Sequence, residues 1–240
     1  KDERIKDAAQ RAESILDRLL EYCEEENYAL KPWYQTFSMI SDYYGRSGRQ
    51  DAPYRAEYVV NRMLAMYEDG KLEAVPSPGV FVSVMDAYAN AEHPDAGKNA
   101  DRMLALSRKL INENAKGNVL TTRIMNSAIN AWASCGDENA SRRAEEYLTQ
   151  METAYANGIS NLRPETRSYS TSFCVTHFRV LSCDFYFIEL VLAAWSKSGS
   201  PLRFKNAWQV LQRMERQQQN GNRYVKVDEY SKSLVINACG

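Results

Sequence analysis

Apolar side chains recur at helical spacing along most of this chain, and they do so in pairs of segments. Within residues 121–158, Met125, Ala128, Ile129 and Trp132 lie three, four and seven residues after the first of them. The second half of this segment repeats those steps with Ala144, Tyr147, Leu148 and Met151. Such spacing places four side chains on one face of an α-helix, and that face has to be buried. The segment is therefore predicted to form two amphipathic helices joined by a turn.

This helix pair recurs with a period of 44 residues. An alanine of the second helix recurs as Ala12, Ala56, Ala100 and Ala144, and the aromatic residue near the end of the first helix as Tyr44, Tyr88 and Trp132. Proline precedes the first helix at positions 32, 76 and 164, and the second helix is expected to end in a left-handed residue at Gly70, Asn114, Gly158 and Gly221. Because two short helices cannot bury both apolar faces alone, the pairs are expected to stack on one another.

The period divides the chain into one array of helical repeats. Its parts are the second helix of a partial repeat at 1–27, repeats one to four at 31–70, 75–117, 119–158 and 163–223, and the first helix of a fifth repeat at 226–240. The first of these helices is expected to bury Ala12, Ile15, Leu16 and Leu19. Since the sequence opens in a second helix and stops after a first helix, we expect it to be a fragment of a longer protein.

Repeat four is interrupted by an insert at about residues 172–190. The period places its aromatic anchor at position 176, whereas the matching Ala-Trp-Ser contains Trp195, which is 19 residues later. The segment SFCVTHFRVLSCDFYFIEL carries four of the seven phenylalanines, so its composition is foreign to the rest of the chain. A retained intron or a gene-model error is the preferred explanation, and a natural loop is the second. Sequencing of the transcript distinguishes the two.

Composition restricts the class of protein. Hydrophobic residues make up 44%, which is enough to build a core, and 30 basic against 31 acidic residues leave a net charge of −1. The chain as a whole therefore lacks the positive charge that attracts nucleic acid non-specifically. Five cysteines form no repeating framework, which indicates reduced thiols in an intracellular compartment. No run approaches the roughly 18 apolar residues of a membrane span, so no membrane association is expected.

The sequence offers little support for catalysis. Only His93 and His177 are present, no nucleophile–histidine–acid arrangement can be recognised, and no glycine-rich phosphate loop occurs. Cys174, His177 and Cys183 form a partial metal-ligand set inside the insert, whereas zinc sites show four ligands at characteristic spacings. We therefore expect no enzyme activity, cofactor, metal or small-molecule substrate.

Two stretches carry a family resemblance. IMNSAINAWASCGD in repeat three, and RPETRSYST joined across the insert to VLAAWSKSG, resemble the pentatricopeptide repeat family. The 44-residue repeat is longer than is usual in that family, and the added residues fall in the second helix and the connectors. The resemblance implies an all-α fold: a right-handed α-solenoid, or superhelix, of stacked antiparallel helix pairs. The nearest rival is the tetratricopeptide repeat, a protein-binding solenoid.

In the pentatricopeptide family the first helices line a groove that binds single-stranded RNA at about one base per repeat. A polar side chain early in the first helix reads the base together with the residue just before the next first helix. By resemblance, the early positions are Ser38, Val82, Asn126, Ser170 and Ser233, and the paired positions are Ser77, Thr121, Glu165 and Asp228. Ser170 with Asp228 resembles a pair associated with guanine, and Asn126 with Glu165 is near a pair associated with uracil.

The same positions have a second interpretation. Serine and asparagine near helix starts often cap the helix, and acidic residues there favour the helix dipole. Val82 cannot form a hydrogen bond with a base, and Arg123 and Arg167 are among few candidates for phosphate contact. The resemblance implies sequence-selective RNA binding in organellar transcript processing, stability or translation, in the mitochondrion or plastid. The alternative function is a scaffold that binds protein partners through the groove.

Overall fold

The computed structural model of the 240-residue chain describes residues 2–25, 32–72, 74–113, 119–165 and 190–239. These ranges contain ten α-helices and one short 3-10 helix and no strand, which confirms the all-α prediction. Ser170, Arg167, Asn114, the insert apart from Leu190, and the partial metal-ligand set lie outside the described residues.

The helices follow the predicted pairs. They are α1 (Asp2–Glu25), α2 (Tyr34–Ser47), α3 (Ala52–Glu68), α4 (Val80–Asn90), α5 (Ala96–Glu113), α6 (Thr122–Ser134), α7 (Ala140–Ala156), the 3-10 helix (Ser160–Leu162), α8 (Leu190–Lys197), α9 (Arg203–Gln219) and α10 (Glu229–Asn237). Helices α2, α4, α6, α8 and α10 are first helices, and α1, α3, α5, α7 and α9 are second helices.

The chain forms two compact units. Unit 1 comprises Lys1–His93 with Arg102–Val119, and unit 2 comprises Pro94–Asp101 with Leu120–Gly240. In unit 1, α2 packs against α1, α3 and α4, and α3 also contacts α4. In unit 2, α6 and α7 pack against each other and against α8, which in turn contacts α9 and α10. Within each unit, a first helix therefore packs against its own second helix and against the neighbouring first helix.

The predicted apolar faces of the complete repeats are buried. Ala56, Val59 and Met63 of α3 have no exposed surface, and Ala144, Leu148 and Met151 of α7 have none either. Full burial of a valine, leucine or methionine side chain stabilises a fold by roughly 1.5–3 kcal/mol. The packing of the helix faces thus accounts for the regular period of the sequence.

The predicted face of α1 is confirmed at Leu16 and wrong at the other three positions. Ile15 is 67% exposed, and Ala12 and Leu19 are only half-buried. Leu16 shares the buried edge of α1 with Glu13 and Leu20, and this edge packs against α2. The sequence period identified the helix correctly but not which of its edges has a neighbour.

Left-handed residues close the helices where the period requires them. Gly70, Gly158 and Gly221 have φ values of 69°, 87° and 84° after the second helices, as predicted. In the turn between the paired helices of repeat two, a non-glycine residue takes the left-handed conformation. Glu92 has φ 49° at the position that Gly48 and Gly136 occupy in the neighbouring repeats. A side chain in this conformation costs on the order of 1–2 kcal/mol relative to the right-handed one.

A repeated hydrogen bond joins each repeat to the next, and we call it the aromatic clamp. In each clamp, the aromatic residue of a first helix donates to an acidic residue on the preceding second helix. The pairs are Tyr44 with Glu13 at 2.5 Å, Tyr88 with Glu57 at 2.9 Å, Trp132 with Asp101 at 2.7 Å and Trp195 with Glu145 at 2.8 Å. The four acids keep the 44-residue period of the alanines.

An arginine of the following second helix completes each clamp. The pairs are Arg55 with Glu13 at 3.4 Å and Arg102 with Glu57, Arg143 with Asp101 and Arg213 with Glu145 at 2.7 Å each. Burial raises the pKa of Glu57, but hydrogen bonds from Arg102 and Tyr88 outweigh it and hold that pKa below its ordinary value. The partly buried Glu57 carboxylate is therefore kept charged by two donors from the next repeat.

Two glycines allow close helix contacts, one in each unit. A Cβ at Gly45 of α2 would lie 2.8 Å from the carbonyl oxygen of Ser83 in α4. A Cβ at Gly97 of α5 would lie 2.4 Å from the indole ring of Trp132. Glycine is required at both positions because backbone or ring atoms occupy the space of a side chain.

Candidate nucleic-acid interface

The start of α6 is tied to the segment that precedes repeat four. Thr121 caps α6, since its side chain accepts a hydrogen bond from the Ile124 backbone N–H at 3.4 Å. The Thr122 hydroxyl lies 2.9 Å from the carbonyl oxygen of Arg163 and 3.1 Å from that of Asn161, to which it can donate. The first turn of α6 and the connector at 161–163 therefore form one local surface.

Asn126 lies one turn beyond Thr122 on the same face of α6. Its side chain is 5% exposed, and among the described residues its Oδ1 has no hydrogen-bond partner. An unpaired buried acceptor costs roughly 1–3 kcal/mol, so most such atoms in proteins are bonded. Asn126 thus holds a costly, unsatisfied acceptor at a predicted base-reading position.

The connector contributes a second unsatisfied group. The Nε of Arg163 is buried and also has no hydrogen-bond partner within the described ranges. The remaining atoms of this kind are the hydroxyl oxygens of Ser41 and Ser198, which lie on other segments. The Arg163 guanidinium carbon lies 3.5 Å from the centre of the Tyr224 ring, in cation–π geometry. A donor and an acceptor without partners therefore belong to two segments that touch.

The connector is fixed from its other side as well. The Asn222 side-chain amide donates to the carbonyl oxygen of Pro164 at 3.1 Å, and Glu165 next to it is half-buried. Arg223 also faces Tyr224, at 5.2 Å from the ring centre. The exposed Tyr224 hydroxyl has a pKa below its ordinary value because Arg223, and then Arg163, stabilise the phenolate. The local charge near the connector is positive.

The other predicted readers make local contacts. Ser38 donates to the Tyr34 carbonyl at 3.2 Å, Ser233 donates to the Tyr230 carbonyl at 2.7 Å, and Ser77 accepts from the Gly79 N–H at 3.3 Å. Val82 is 1% exposed and packs in the core of unit 1. In the described residues, these four positions offer either a hydroxyl bonded to nearby backbone or an apolar side chain.

Asp228 is also a helix cap. Its carboxylate accepts from the backbone N–H of Ser231 at 2.8 Å, and its own backbone N–H donates to the Ser231 hydroxyl oxygen at 3.5 Å, which together form a capping box at the start of α10. The Ser231 hydroxyl also donates to the Asp228 carboxylate, at 2.8 Å. The capping interpretation of Thr121 and Asp228 is therefore visible in the structure. Asn126 differs from both because its buried Oδ1 has no hydrogen-bond partner among the described residues.

The first-helix surface differs in charge between the units. In unit 1, Asp42 of α2 accepts a short hydrogen bond from Ser83 and lies 3.9 Å from Arg46. In unit 2, Arg123 of α6 is exposed, and Arg163 and Arg223 converge on Tyr224. Unit 2 thus carries exposed positive charge on the first turn of α6, and two further arginines lie on the segments around Tyr224.

Sequence reasoning missed Arg163 and Tyr224 as site residues. Arg163 was visible only as the first residue of the Arg-Pro-Glu motif, and Tyr224 has no equivalent in other repeats, where Asn161 and Gly117 occupy its place. A residue outside the period cannot be recognised from the period, and the cation–π contact joins positions 61 residues apart.

Other classes of site are not seen in the described part of the chain. No group of three or more histidine, cysteine or acidic residues there is arranged to hold a metal ion. No helix in those ranges is long and apolar enough to cross a bilayer. An open depression of about 350 Å³ on α7 is lined by Arg142, Glu145, Glu146, Thr149 and Gln150. Glu145 already belongs to an aromatic clamp, so this depression is part of the stacking contacts.

Comparisons with known proteins supply no relative. No protein-family model matches the chain, and the search of curated proteins gave no significant match. The functional argument therefore rests on the residues of this chain and their contacts.

Proposed function

We propose that this protein binds single-stranded RNA along the first helices of a right-handed α-solenoid of stacked antiparallel helix pairs, as pentatricopeptide repeat proteins do. Its role is in RNA processing, stability or translation in the mitochondrion or plastid. The all-α helix pairs and their 44-residue period support this architecture. The base-reading positions are those named from the sequence, and Asn126 with Glu165 is the pair that the contacts favour most.

Asn126 carries the proposal. A buried amide oxygen without a partner is retained at a cost, and the cost is recovered when a ligand supplies the missing donor. Uracil presents an N–H between two carbonyl oxygens, so its edge offers a donor to Asn126 Oδ1 and an acceptor to Arg163 Nε. The Tyr224 ring and the Arg163 guanidinium form a flat surface on which a base stacks.

Phosphate contacts come from the neighbouring cations. Arg123 is exposed on α6, close to Thr122, and Arg223 lies beside Tyr224. Each neutralised phosphate contributes to affinity and makes it dependent on salt. Because few cations are available for phosphate contacts, binding of RNA by this chain is expected to be weak, and base contacts are expected to determine which RNA it prefers.

A scaffold that binds protein is the second candidate, and α2 favours it. Its outer surface exposes Met39 by 60% and Tyr43 by 44%, beside the acidic Asp42. Exposed apolar groups mixed with acid suit a peptide better than an RNA backbone. Binding of a peptide to α2 without RNA enrichment would support this function.

The decisive experiment replaces Asn126 with valine. Val82 occupies the equivalent position of repeat two and is buried, so Asn126→Val keeps a side chain that the fold accepts there. RNA bound by the wild-type chain is first selected from a random pool, and its affinity for each variant is then measured. Loss of one hydrogen bond predicts about two- to tenfold weaker binding, with unchanged or higher stability.

The control is Ser14→Ala, which removes a polar group from the exposed surface of α1 and leaves RNA affinity unchanged. Failure of the wild-type chain to enrich any RNA would contradict the proposal. Equal affinities of wild type and Asn126→Val for the selected RNA would leave Asn126 without a role as reader.

A further inference from the structure

The arginines of the aromatic clamps are all neutralised by carboxylates. Each lies 2.7–3.4 Å from an acidic oxygen, and the four are Arg55, Arg102, Arg143 and Arg213. Arg163 and Arg223 differ from them, because neither forms an ion pair with a carboxylate among the residues that the structure describes. Both contact the ring of Tyr224 instead, so their positive charge remains available for a ligand.

We call Arg163, Arg223 and Tyr224 the connector cluster. The guanidinium carbon of Arg163 lies 3.5 Å from the centre of the Tyr224 ring, and that of Arg223 lies 5.2 Å from it. Arg223 also donates from Nη2 to the Tyr224 hydroxyl at 3.2 Å. Two like charges that share one ring repel each other, and a bound anion removes this repulsion. Tyr224 is 40% exposed, so an anion can reach the cluster from solvent.

The connector that carries Arg163 is held in place by the protein itself. The Thr122 hydroxyl donates to the Arg163 carbonyl oxygen at 2.9 Å, and the Asn222 amide donates to that of Pro164 at 3.1 Å. The Nε of Arg163 is nevertheless buried without a hydrogen-bond partner in the described ranges. A buried donor of this kind is costly unless a ligand supplies an acceptor. The cluster therefore combines a fixed backbone with a missing acceptor.

The cluster is not repeated in the preceding connectors. Val75 and Val119 hold the place of Arg163 there, and Asn161 and Gly117 hold that of Tyr224. A groove of helical repeats binds the repeating parts of a ligand with repeating positions. In single-stranded RNA the bases and phosphodiesters repeat, whereas each end occurs once. A cluster that occurs once therefore fits an end of the strand better than one of its internal nucleotides.

The charge of the cluster matches an RNA end that carries a phosphate. An internal phosphodiester has one negative charge, whereas a phosphomonoester carries about −1.5 to −2 at pH 7. Arg163 and Arg223 supply two positive charges, and a planar guanidinium binds two phosphate oxygens at once. The Tyr224 ring adds a surface on which the last base stacks. Both the base and the phosphate of a terminal nucleotide therefore find a matching group.

We propose that the connector cluster binds the terminal nucleotide of an RNA strand through the phosphomonoester at its 5′ or 3′ end. This assignment rests on the RNA binding proposed above and adds the kind of end that is bound. The guanidinium of Arg163 has five N–H donors, so it can hold a base through Nε and the phosphate through its terminal nitrogens. The protein then prefers transcripts whose end keeps a phosphate, such as the products of a cleavage that leaves one.

The experiment compares one RNA sequence with three kinds of end. The RNA that the wild-type chain selects is synthesised with a 5′-phosphate, with a 3′-phosphate, or with hydroxyls at both ends. One of the two phosphorylated forms is expected to bind about tenfold more tightly than the hydroxyl form, because charge-assisted hydrogen bonds to the phosphate are gained. The form that gains affinity identifies which end of the strand the cluster holds.

Arg223→Gln tests the cluster itself. It removes a guanidinium from an exposed position, so the fold is kept, as circular dichroism verifies. The preference for the phosphorylated end is expected to fall from about tenfold to about twofold. Arg223→Lys, which keeps the charge but not the planar fork, retains part of the preference. Arg216→Gln is the matched control, since it removes a positive charge from an exposed position of α9 outside the cluster and is expected to leave the preference unchanged.

Equal binding of the three RNAs overturns the end preference, while RNA binding itself stands. A loss of preference in Arg216→Gln as large as in Arg223→Gln also overturns it, because the effect would then be one of general charge. If no RNA binds, the proposed function fails, and uridine 5′-monophosphate and uridine 3′-monophosphate are titrated against uridine. Tighter binding of a monophosphate that Arg223→Gln abolishes supports the phosphate site, and equal binding of nucleotide and nucleoside overturns it.

Discussion

The aromatic clamps of the two units use different rings for the same contact. In unit 1 the donors are Tyr44 and Tyr88, whereas in unit 2 they are Trp132 and Trp195. All four rings are buried, and all four reach a carboxylate on the preceding second helix. The positions of the donor and of its acceptor are therefore the same in both units, but the donating group is a phenol hydroxyl in unit 1 and an indole N–H in unit 2.

The residue beneath the ring changes with the ring. Pro53, Gly97, Ser141 and Phe204 occupy equivalent positions in the second helices. Gly97 lies directly against Trp132, where no Cβ fits. Where the clamp aromatic is replaced by Cys239, the same position carries the large Phe204. The lack of a side chain at Gly97 thus leaves the space that the large indole of Trp132 fills, as close packing requires.

Removal of a clamp ring is expected to have the largest effect. Trp132→Ala deletes a ring that is 6% exposed and takes one of the donors from Asp101. Large-to-small changes of this kind cost about 3–5 kcal/mol. The free energy of unfolding in urea, followed by circular dichroism, checks this value. As the control, Trp208→Ala removes an indole that is 47% exposed and is expected to cost under about 1 kcal/mol. Equal losses in the free energy of unfolding of the two variants would refute the difference between clamp rings and surface rings.

A smaller effect is expected when the space beneath the ring is filled. Gly97→Ala forces the Trp132 ring to move, because the added Cβ would lie 2.4 Å from it. Overpacking costs about 1–3 kcal/mol, measured again as the free energy of unfolding. Gly199→Ala is the control, since a Cβ there meets no atom within 4 Å. If both glycine variants were equally stable, the contact between Gly97 and Trp132 would not be tight.

The smallest expected effect is a pH dependence of stability that only the tyrosine clamps of unit 1 should show. Burial, and then the hydrogen bond to Glu13 or Glu57, raises the pKa of Tyr44 and Tyr88 above the ordinary value near 10. A raised folded pKa gives stability that is present below pH 10 and is lost as the pH rises further. Tyr88→Phe is therefore expected to cost about 1 kcal/mol at pH 8 and progressively less above pH 10.

Trp132→Phe provides the comparison, because the indole does not titrate in this range. Its cost is expected to stay constant from pH 8 to pH 11. Urea titrations of both variants and the wild type at each pH measure the differences. A cost of Tyr88→Phe that did not shrink with rising pH would show that its hydroxyl contributes nothing through protonation.

The sequence period predicted the helices and the clamp rings well. Tyr44, Tyr88 and Trp132 were identified as anchors because they recur at one spacing, and Trp195 because the register resumes after the insert. Their acid partners keep the same period, but a search for apolar spacing passes over acids. A polar residue repeating at the edge of an apolar face was the signal that could have revealed the clamp.

Two properties could not be predicted from the sequence: which helix faces have a packing neighbour, and which buried polar atoms lack a hydrogen-bond partner. Ile15 has the spacing of a buried residue, yet its exposure depends on whether a helix packs beside it. Asn126 was identified as a reader from its position, whereas its lack of a hydrogen-bond partner arises from the local packing of α6 and the connector. Periodicity specifies which face of a helix is apolar, and tertiary contacts decide which polar atoms remain unpaired.

The choice of ring also gives the two units different optical signals. Both buried indoles, Trp132 and Trp195, belong to unit 2, while the tryptophan of unit 1, Trp33, is 58% exposed. A buried indole emits at shorter wavelength than one in water, so a red shift of the fluorescence on unfolding reports chiefly the melting of unit 2. Unit 2 thus carries its own built-in fluorophores, and its unfolding can be followed without a label.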